Sequence, residues 1–299
     1  MEFHPTRELV GNDLDYARIA RRVGAGDLVR VRRGVVAPAA ELQPGQRLRR
    51  AIEATALYLN VGTWFSHRSA ALIHGLPTLA SPLTLVEVVR TFGGHGNKSA
   101  HVHARAASLT SEEVVFVDGL PVTSLLRTVV DLACTVPFPE AVMITDAALR
   151  AGVDREALLA AASDRYGCRK AERAILFADP LSESPPESES RARIVMAGLP
   201  VPEIQAQIFS ATGEFIARAD FLWRGKRVVG EYDGEGKYDG EFGVSPVVAV
   251  RNARERQAAL EAQGYFVLRW GKDVLRQPGE LERRVPHTLA MRPWLPAGT

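Results

Sequence analysis

Apolar and polar positions alternate with changing period along this chain, and the period predicts its elements. Residues 15–23 (DYARIARRV) have helical spacing that leaves Arg18, Arg21 and Arg22 exposed, and Gly24 and Gly26 end the helix. DLVRVRRGVVAP follows, with Leu28, Arg30 and Arg32 alternating against Val29, Val31 and Arg33, and a turn at Gly34. That predicts a β-hairpin with basic residues on one side. Pro44 to Asn60 reads as a helix with Leu48, Ile52, Ala56 and Leu59 on one face. In TWFSHRSAALIHGLP, Ser66 is the expected N-cap, and Gly75 with Pro77 stops the helix. Leu83 to Arg90 is an apolar strand, and His101-Val102-His103 opens another. Val114 to Val117 and Gly119 to Thr123 read as strand, turn and strand. Ser124 to Cys134 is an amphipathic helix, followed by helices over Pro139 to Ala151 and Asp154 to Ala162. Asp131 and Asp146 are expected as charges on helix surfaces.

The composition shifts at Leu181 to Ser190 (LSESPPESES), a serine-, proline- and glutamate-rich run expected to solvate well and to separate two modules near residue 182. A helix follows over Glu187 to Met196, ending at Gly198. Gln205 to Phe209 and Phe215 to Phe221 read as strands around a Thr212-Gly213 turn, and Val228 and Val229 mark a third. Ala249 to Gln263 is an arginine-studded helix, Tyr265 to Trp270 a buried strand, and Asp273 to Leu275 the start of a last helix. The expected class is α/β (α+β). A winged-helix-like segment occupies 1–43, a mixed α/β domain 44–181, and a domain built on a central mixed sheet 182–299.

Bulk numbers add limits. The chain has 299 residues, 46% hydrophobic and 24% charged, ordinary for a globular protein. A formal charge of +2 means that any nucleic-acid surface must be local. Cys134 and Cys168 are the only cysteines, which argues against a disulfide framework and fits a reducing cytoplasm. The opening residues lack a signal-type apolar run, and no stretch is long and apolar enough for a membrane span.

The candidate chemistry lies in Ala217 to Tyr238, ARADFLWRGKRVVGEYDGEGKY. It places Asp220, Glu231, Asp233 and Lys237 on two strands and a turn. Carboxylates at the ends of core strands need a metal, a cation or water. Two acids on adjacent strands with a nearby lysine suit a Mg²⁺- or Mn²⁺-dependent phosphodiesterase. The alternative is a structural ion pairing of Asp220 and Glu231 with Arg218 and Lys226 in an inactive domain. His67 and His74 are better read as structural, and His95, His101 and His103 lack the carboxylate or cysteine neighbours of a zinc site.

Two resemblances follow from these phrases. GDLVRVRRGVVAP, FSHRSAALIHGLP and GLPVTSLLRTVVDLA resemble AbiEi-type antitoxins and transcriptional regulators. That implies promoter DNA binding through the wing, with Arg30, Arg32 and Arg33 on phosphates, and a toxin partner. ARADF, EYDG with Lys237-Tyr238, the arginine-rich helix and Gly264 to Trp270 resemble PD-(D/E)xK endonucleases related to very-short-patch-repair enzymes. ESESR at Glu187 to Arg191 matches that family's leading helix. The resemblance implies a helix–β–β–β–helix–β core in which Asp220 and Glu231 hold the ion and Glu187 reaches it. Lys237 would stabilise developing charge, and Gln205 orient water. Asp233 stands where the motif carries lysine, as a second ligand or as a partner of Arg218. Arg251, Arg254 and Arg256 would contact phosphates. Two readings result: a DNA endonuclease, or a DNA-binding antitoxin-type regulator with an inactive nuclease fold.

Overall fold

The computed structural model describes residues 4–6, 15–79, 85–92, 96–234 and 246–293. The protein is a mixed α/β chain that divides into two compact units. The first comprises residues 1–135 with 153–172, the second residues 136–152 with 173–299.

The first unit opens with β1 (His4–Pro5), α1 (Tyr16–Gly24), β2 (Leu28–Arg32) and β3 (Val35–Pro38), whose strands form an antiparallel sheet in the order β1-β3-β2. Asp15 caps α1 by accepting from the Arg18 N–H at 2.6 Å. Only Ile19 of α1 is buried, packing with Leu28 and Val36. Gly34, at φ +80°, makes the hairpin turn.

Then come α2 (Pro44–Ala56), β4 (Thr63–Phe65), α3 (His67–Ile73), β5 (Val86–Arg90), β6 (Asn97–Lys98), β7 (Val102–Ala106), β8 (Val114–Val117), β9 (Leu120–Thr123) and α4 (Leu125–Thr135). Their strands build a sheet in the order β6-β7-β5-β4-β9-β8, with parallel pairs β5/β7 and β4/β9. Leu48, Ile52, Phe65, Ile73, Val86, Val88 and Val122 form its core. The β8–β9 hairpin turns on Asp118-Gly119 with φ of 51° and 74°, the left-handed pair of a two-residue turn.

Asp131 is a correction to the surface expectation. It is 7% exposed, and both its oxygens lie 2.9 Å from the Arg127 Nε. Glu113 and Arg165 complete a four-member network. Burial raises the Asp131 carboxyl above its ordinary value, against the pull of Arg127 and Arg165.

Next follow α5 (Phe138–Arg150), α6 (Arg155–Ala162), α7 (Cys168–Phe177) and α8 (Pro185–Met196). Helix α6 belongs to the first unit, α5 and α8 to the second, and α7 runs from one into the other. The division therefore does not fall at residue 182. The Ser-Pro-Glu run is packed structure instead of a solvated linker. Ser184 caps α8, and Ser182, Glu187, Ser188 and Ser190 are buried. Asp146 of α5 is fully buried rather than on a helix surface, held by Arg191 of α8 at 3.0 and 2.9 Å.

The second unit continues with β10 (Glu203–Phe209), β11 (Phe215–Trp223), β12 (Val228–Tyr232), α9 (Pro246–Ala262), β13 (Phe266–Trp270), α10 (Lys272–Arg276) and α11 (Glu280–Ala290). From α8 to β13 this is the expected helix–β–β–β–helix–β order. The sheet runs β10-β11-β12-β13, antiparallel except for the parallel β12/β13 pair. One hydrophobic cluster joins Ile194, Phe221, Trp223, Val228, Trp270 and Leu281, and another joins Ala206, Ile208, Leu222, Val229 and Leu260. Trp270 stacks on Phe221 with centroids 5.1 Å apart and donates its indole N–H to the Ser190 Oγ at 2.9 Å. Gly230 makes room for that ring, because a Cβ there would come within 2.7 Å of Trp270.

Candidate functional site

The second unit gathers the acids that the sequence singles out. The β10/β11 register pairs Ile204 with Phe221 and Ala206 with Ala219, which sets Gln205 beside Asp220. The β11/β12 register pairs Phe221 with Gly230, so Glu231 comes next, across from Asp220. Gln205, Asp220 and Glu231 thus line up across three strands. Gln205 has φ +50°, a left-handed conformation inside a strand. Such strain, about 1–3 kcal/mol, persists only where the surroundings impose it. Its amide donates to the Glu187 Oε2 at 3.0 Å, which brings the α8 carboxylate to the same row.

Each carboxylate already has partners. Glu187 accepts from the Ser184 Oγ at 2.6 Å and the Glu183 N–H at 3.0 Å, and Ser184 is the N-cap of α8. Asp220 accepts from the Tyr232 N–H at 2.9 Å. Glu231 is 8% exposed; it accepts from the Arg269 Nε at 2.9 Å and lies 3.4 Å from the Arg256 guanidinium. Arg269 also donates to the Gln257 Oε1 at 2.7 Å. The ion-pair partners of Glu231 are therefore Arg269 and Arg256, not Arg218 or Lys226. Arg218 pairs with Glu183 at 2.8 Å, and Lys226 donates to the Arg292 carbonyl at 2.6 Å.

Arg269 is the member that the sequence reading missed. The contact depends on tertiary pairing: β13 runs parallel to β12, and the register sets Arg269 opposite Glu231. Asp233 follows β12, donates its N–H to the Trp270 carbonyl at 2.9 Å, and lines a recess with Arg269, Lys272 and Arg284. Arg254 and Arg251 are exposed on α9, Arg251 lying 3.8 Å from Glu255. Lys237 lies outside the described residues. Among the described residues no group of three or more His, Cys, Asp or Glu side chains is placed to hold a metal ion. With Glu231 neutralised by two arginines, the described donors do not make up a Mg²⁺ or Mn²⁺ site by themselves.

The first unit carries the basic module. Arg18, Arg21 and Arg22 are exposed on α1, with Tyr16 at 64% exposure. Arg30 and Arg33 are exposed on the hairpin. Arg32 departs from the expected basic face. The pairing runs Arg30 with Val36, then Arg32 with Val35, so Val31 is an extra residue in a β-bulge. The bulge breaks strict alternation and turns Arg32 away from the Arg30 side. Its guanidinium lies 5.1 Å over the Tyr58 ring and donates to the Thr55 carbonyl at 3.3 Å.

His67 and His74 make hydrogen bonds inside the first unit. His74 Nε2 lies 2.7 Å from the Thr123 carbonyl. His67 is buried, with Nδ1 3.1 Å from the Ser66 Oγ, and burial plus the nearby Arg105 and Arg127 push its pKa down to about 3.

No protein-family model matches the chain. Two Mycobacterium tuberculosis relatives, the uncharacterized proteins MT2308 and Rv2248, are each 33% identical over 178 residues, 58% of this chain and 63% of theirs. The chain thus spans less than two thirds of the length of these curated relatives. Among the described residues no helix is long and apolar enough to cross a membrane. The RV2827C protein of Mycobacterium tuberculosis, a solved crystal structure, aligns with 70% of this chain and 84% of its own at 15% identity and a TM-score of 0.41.

Proposed function

We propose that this chain is a DNA-binding protein of the antitoxin-type regulator class, whose first unit grips the duplex backbone through α1 and the β2–β3 hairpin. One observation carries the reading. Arg18, Arg21 and Arg22 on the helix, and Arg30 and Arg33 on the hairpin, all stand exposed from a small module packed around Ile19, Leu28 and Val36. Arginines on a helix and a neighbouring hairpin suit phosphates flanking a groove, where they position without reading bases.

The test is fluorescence anisotropy with duplex DNA from upstream of the protein's own gene, over a series of salt concentrations. Each phosphate contact contributes roughly 0.9 to the slope of log K against log salt. Replacing Arg18, Arg21 and Arg22 together by glutamine flattens the slope by about 2.7. An unchanged slope removes these side chains from the interface.

A second reading is supported by the row of Gln205, Asp220 and Glu231 within a helix–β–β–β–helix–β unit: divalent-metal-dependent DNA phosphodiester hydrolysis. The Arg269 and Arg256 contacts to Glu231 place it second. Incubating plasmid and single-stranded DNA with Mg²⁺ or Mn²⁺ separates the two. Cleavage lost in Asp220→Ala and Lys237→Ala favours hydrolysis; no cleavage with salt-sensitive binding favours the regulator.

A further inference from the structure

The first unit pairs most of its inward arginines with carboxylates. Arg49 meets Glu53, Arg105 meets Glu87, and Arg127 and Arg165 share Glu113 and Asp131. Arg32 and Arg90 are among those that depart from this pattern. Arg90, the last residue of β5, has an Nε sealed from solvent without a hydrogen-bond partner. Arg32, turned inward by the β2 bulge, keeps one carbonyl contact and the face of Tyr58. Among the described residues neither makes an ion pair. Burial holds the Arg32 guanidinium below its ordinary value, with only Tyr58 acting against it.

Both side chains line the same cavity of about 200 Å³. The buried Thr63 and the exposed Asn60 line it as well, adding a hydroxyl and an amide beside the two guanidinium groups. The sealed Arg90 Nε cannot itself reach a ligand, but the two arginines that line the cavity have no carboxylate partner, and an anion is the partner that suits them. Two guanidinium groups present planar forks of N–H donors and no acceptors, which match the oxygens of a phosphoryl group.

We propose that Arg32 and Arg90, with Thr63 and Asn60, form a binding site for one phosphoryl anion, carried by a small phosphorylated ligand or by a DNA backbone. Arg32 also borders the recess lined by Arg30 and Arg33, but the site does not rest on the DNA-binding reading.

The test uses the full chain and inorganic phosphate at constant ionic strength against chloride, followed by calorimetric titration and thermal unfolding. One saturable site is expected, and at a hundredfold excess over Kd the unfolding midpoint rises by roughly 5 °C or more. Arg32→Gln and Arg90→Gln each weaken phosphate at least tenfold, whereas Arg283→Gln, in the other unit, leaves it unchanged. Should the glutamine variants fail to fold, Arg90→Lys and Thr63→Val replace them, and phosphorus-31 line broadening reads binding to the wild type directly. Duplex DNA that displaces bound phosphate identifies the backbone as the source. Phosphate retained in the presence of duplex identifies a small phosphorylated ligand. No saturable phosphate binding up to roughly 10 mM, or binding equal in the wild type and the arginine variants, overturns the site.

Discussion

The Arg191–Asp146 pair explains why α5 joins the second unit, and its disruption has a large expected effect. Asp146 is fully buried, and both its oxygens accept from the Arg191 Nη2. A second donor, the Asp179 N–H at 2.7 Å, is backbone. Arg191 also donates to the Phe177 carbonyl at 2.8 Å and lies 4.3 Å over the Phe177 ring. Arg191→Met keeps an alkyl stem against that ring but strands a buried carboxylate. Breaking one partner of a buried pair costs about 3–5 kcal/mol. That is a large part of the roughly 5–15 kcal/mol that holds a typical domain. Replacing both partners, as in Asp146→Leu with Arg191→Met, removes the stranded charge and recovers most of the loss. Urea unfolding read by tryptophan fluorescence measures this, since Trp223 and Trp270 sit in the same unit's core. A loss below about 1 kcal/mol in Arg191→Met, or a double variant less stable than the single, refutes the reasoning.

Other outcomes follow from single contacts. Arg269→Met leaves Glu231 with the 3.4 Å Arg256 contact and destabilises the second unit by about 1–3 kcal/mol, whereas Arg218→Met, in an exposed pair with Glu183, costs at most about 1 kcal/mol. Equal losses in urea titration would count against a special role for the Glu231 contacts. Gly230→Ala drives a Cβ to within 2.7 Å of Trp270 and costs about 1–3 kcal/mol by overpacking, with a loss of near-ultraviolet dichroism from the displaced ring. A neutral outcome would mean that the ring can shift freely. Folded His67 stays neutral down to about pH 3. The unfolded chain takes up that proton below about pH 6.5, so falling pH favours unfolding by at most about 1.4 kcal/mol per pH unit in that window. His67→Asn, which tolerates the φ of +50°, should show a flatter stability profile than the wild type between those limits. Parallel profiles would show that His67 titrates normally.

Local order was legible in the sequence wherever a period or a turn residue set it. The alternating strands, the β8–β9 hairpin and the helix–β–β–β–helix–β succession are short-range matters of side-chain spacing and backbone preference. So was the placement of Asp220 and Glu231 on neighbouring strands. Tertiary structure alone decided what the charges do. Asp146 meets a guanidinium 45 residues away and Glu231 one 38 residues away, distances over which hydrophobic period carries no information. The hairpin arginines looked equivalent by alternation, yet one bulged residue separates Arg32 from Arg30. The acidic-serine run reads as a soluble linker because its side chains are polar. In the fold Ser184 caps α8 and Arg191 pairs with Asp146, and with such partners the polar groups of the run no longer need water.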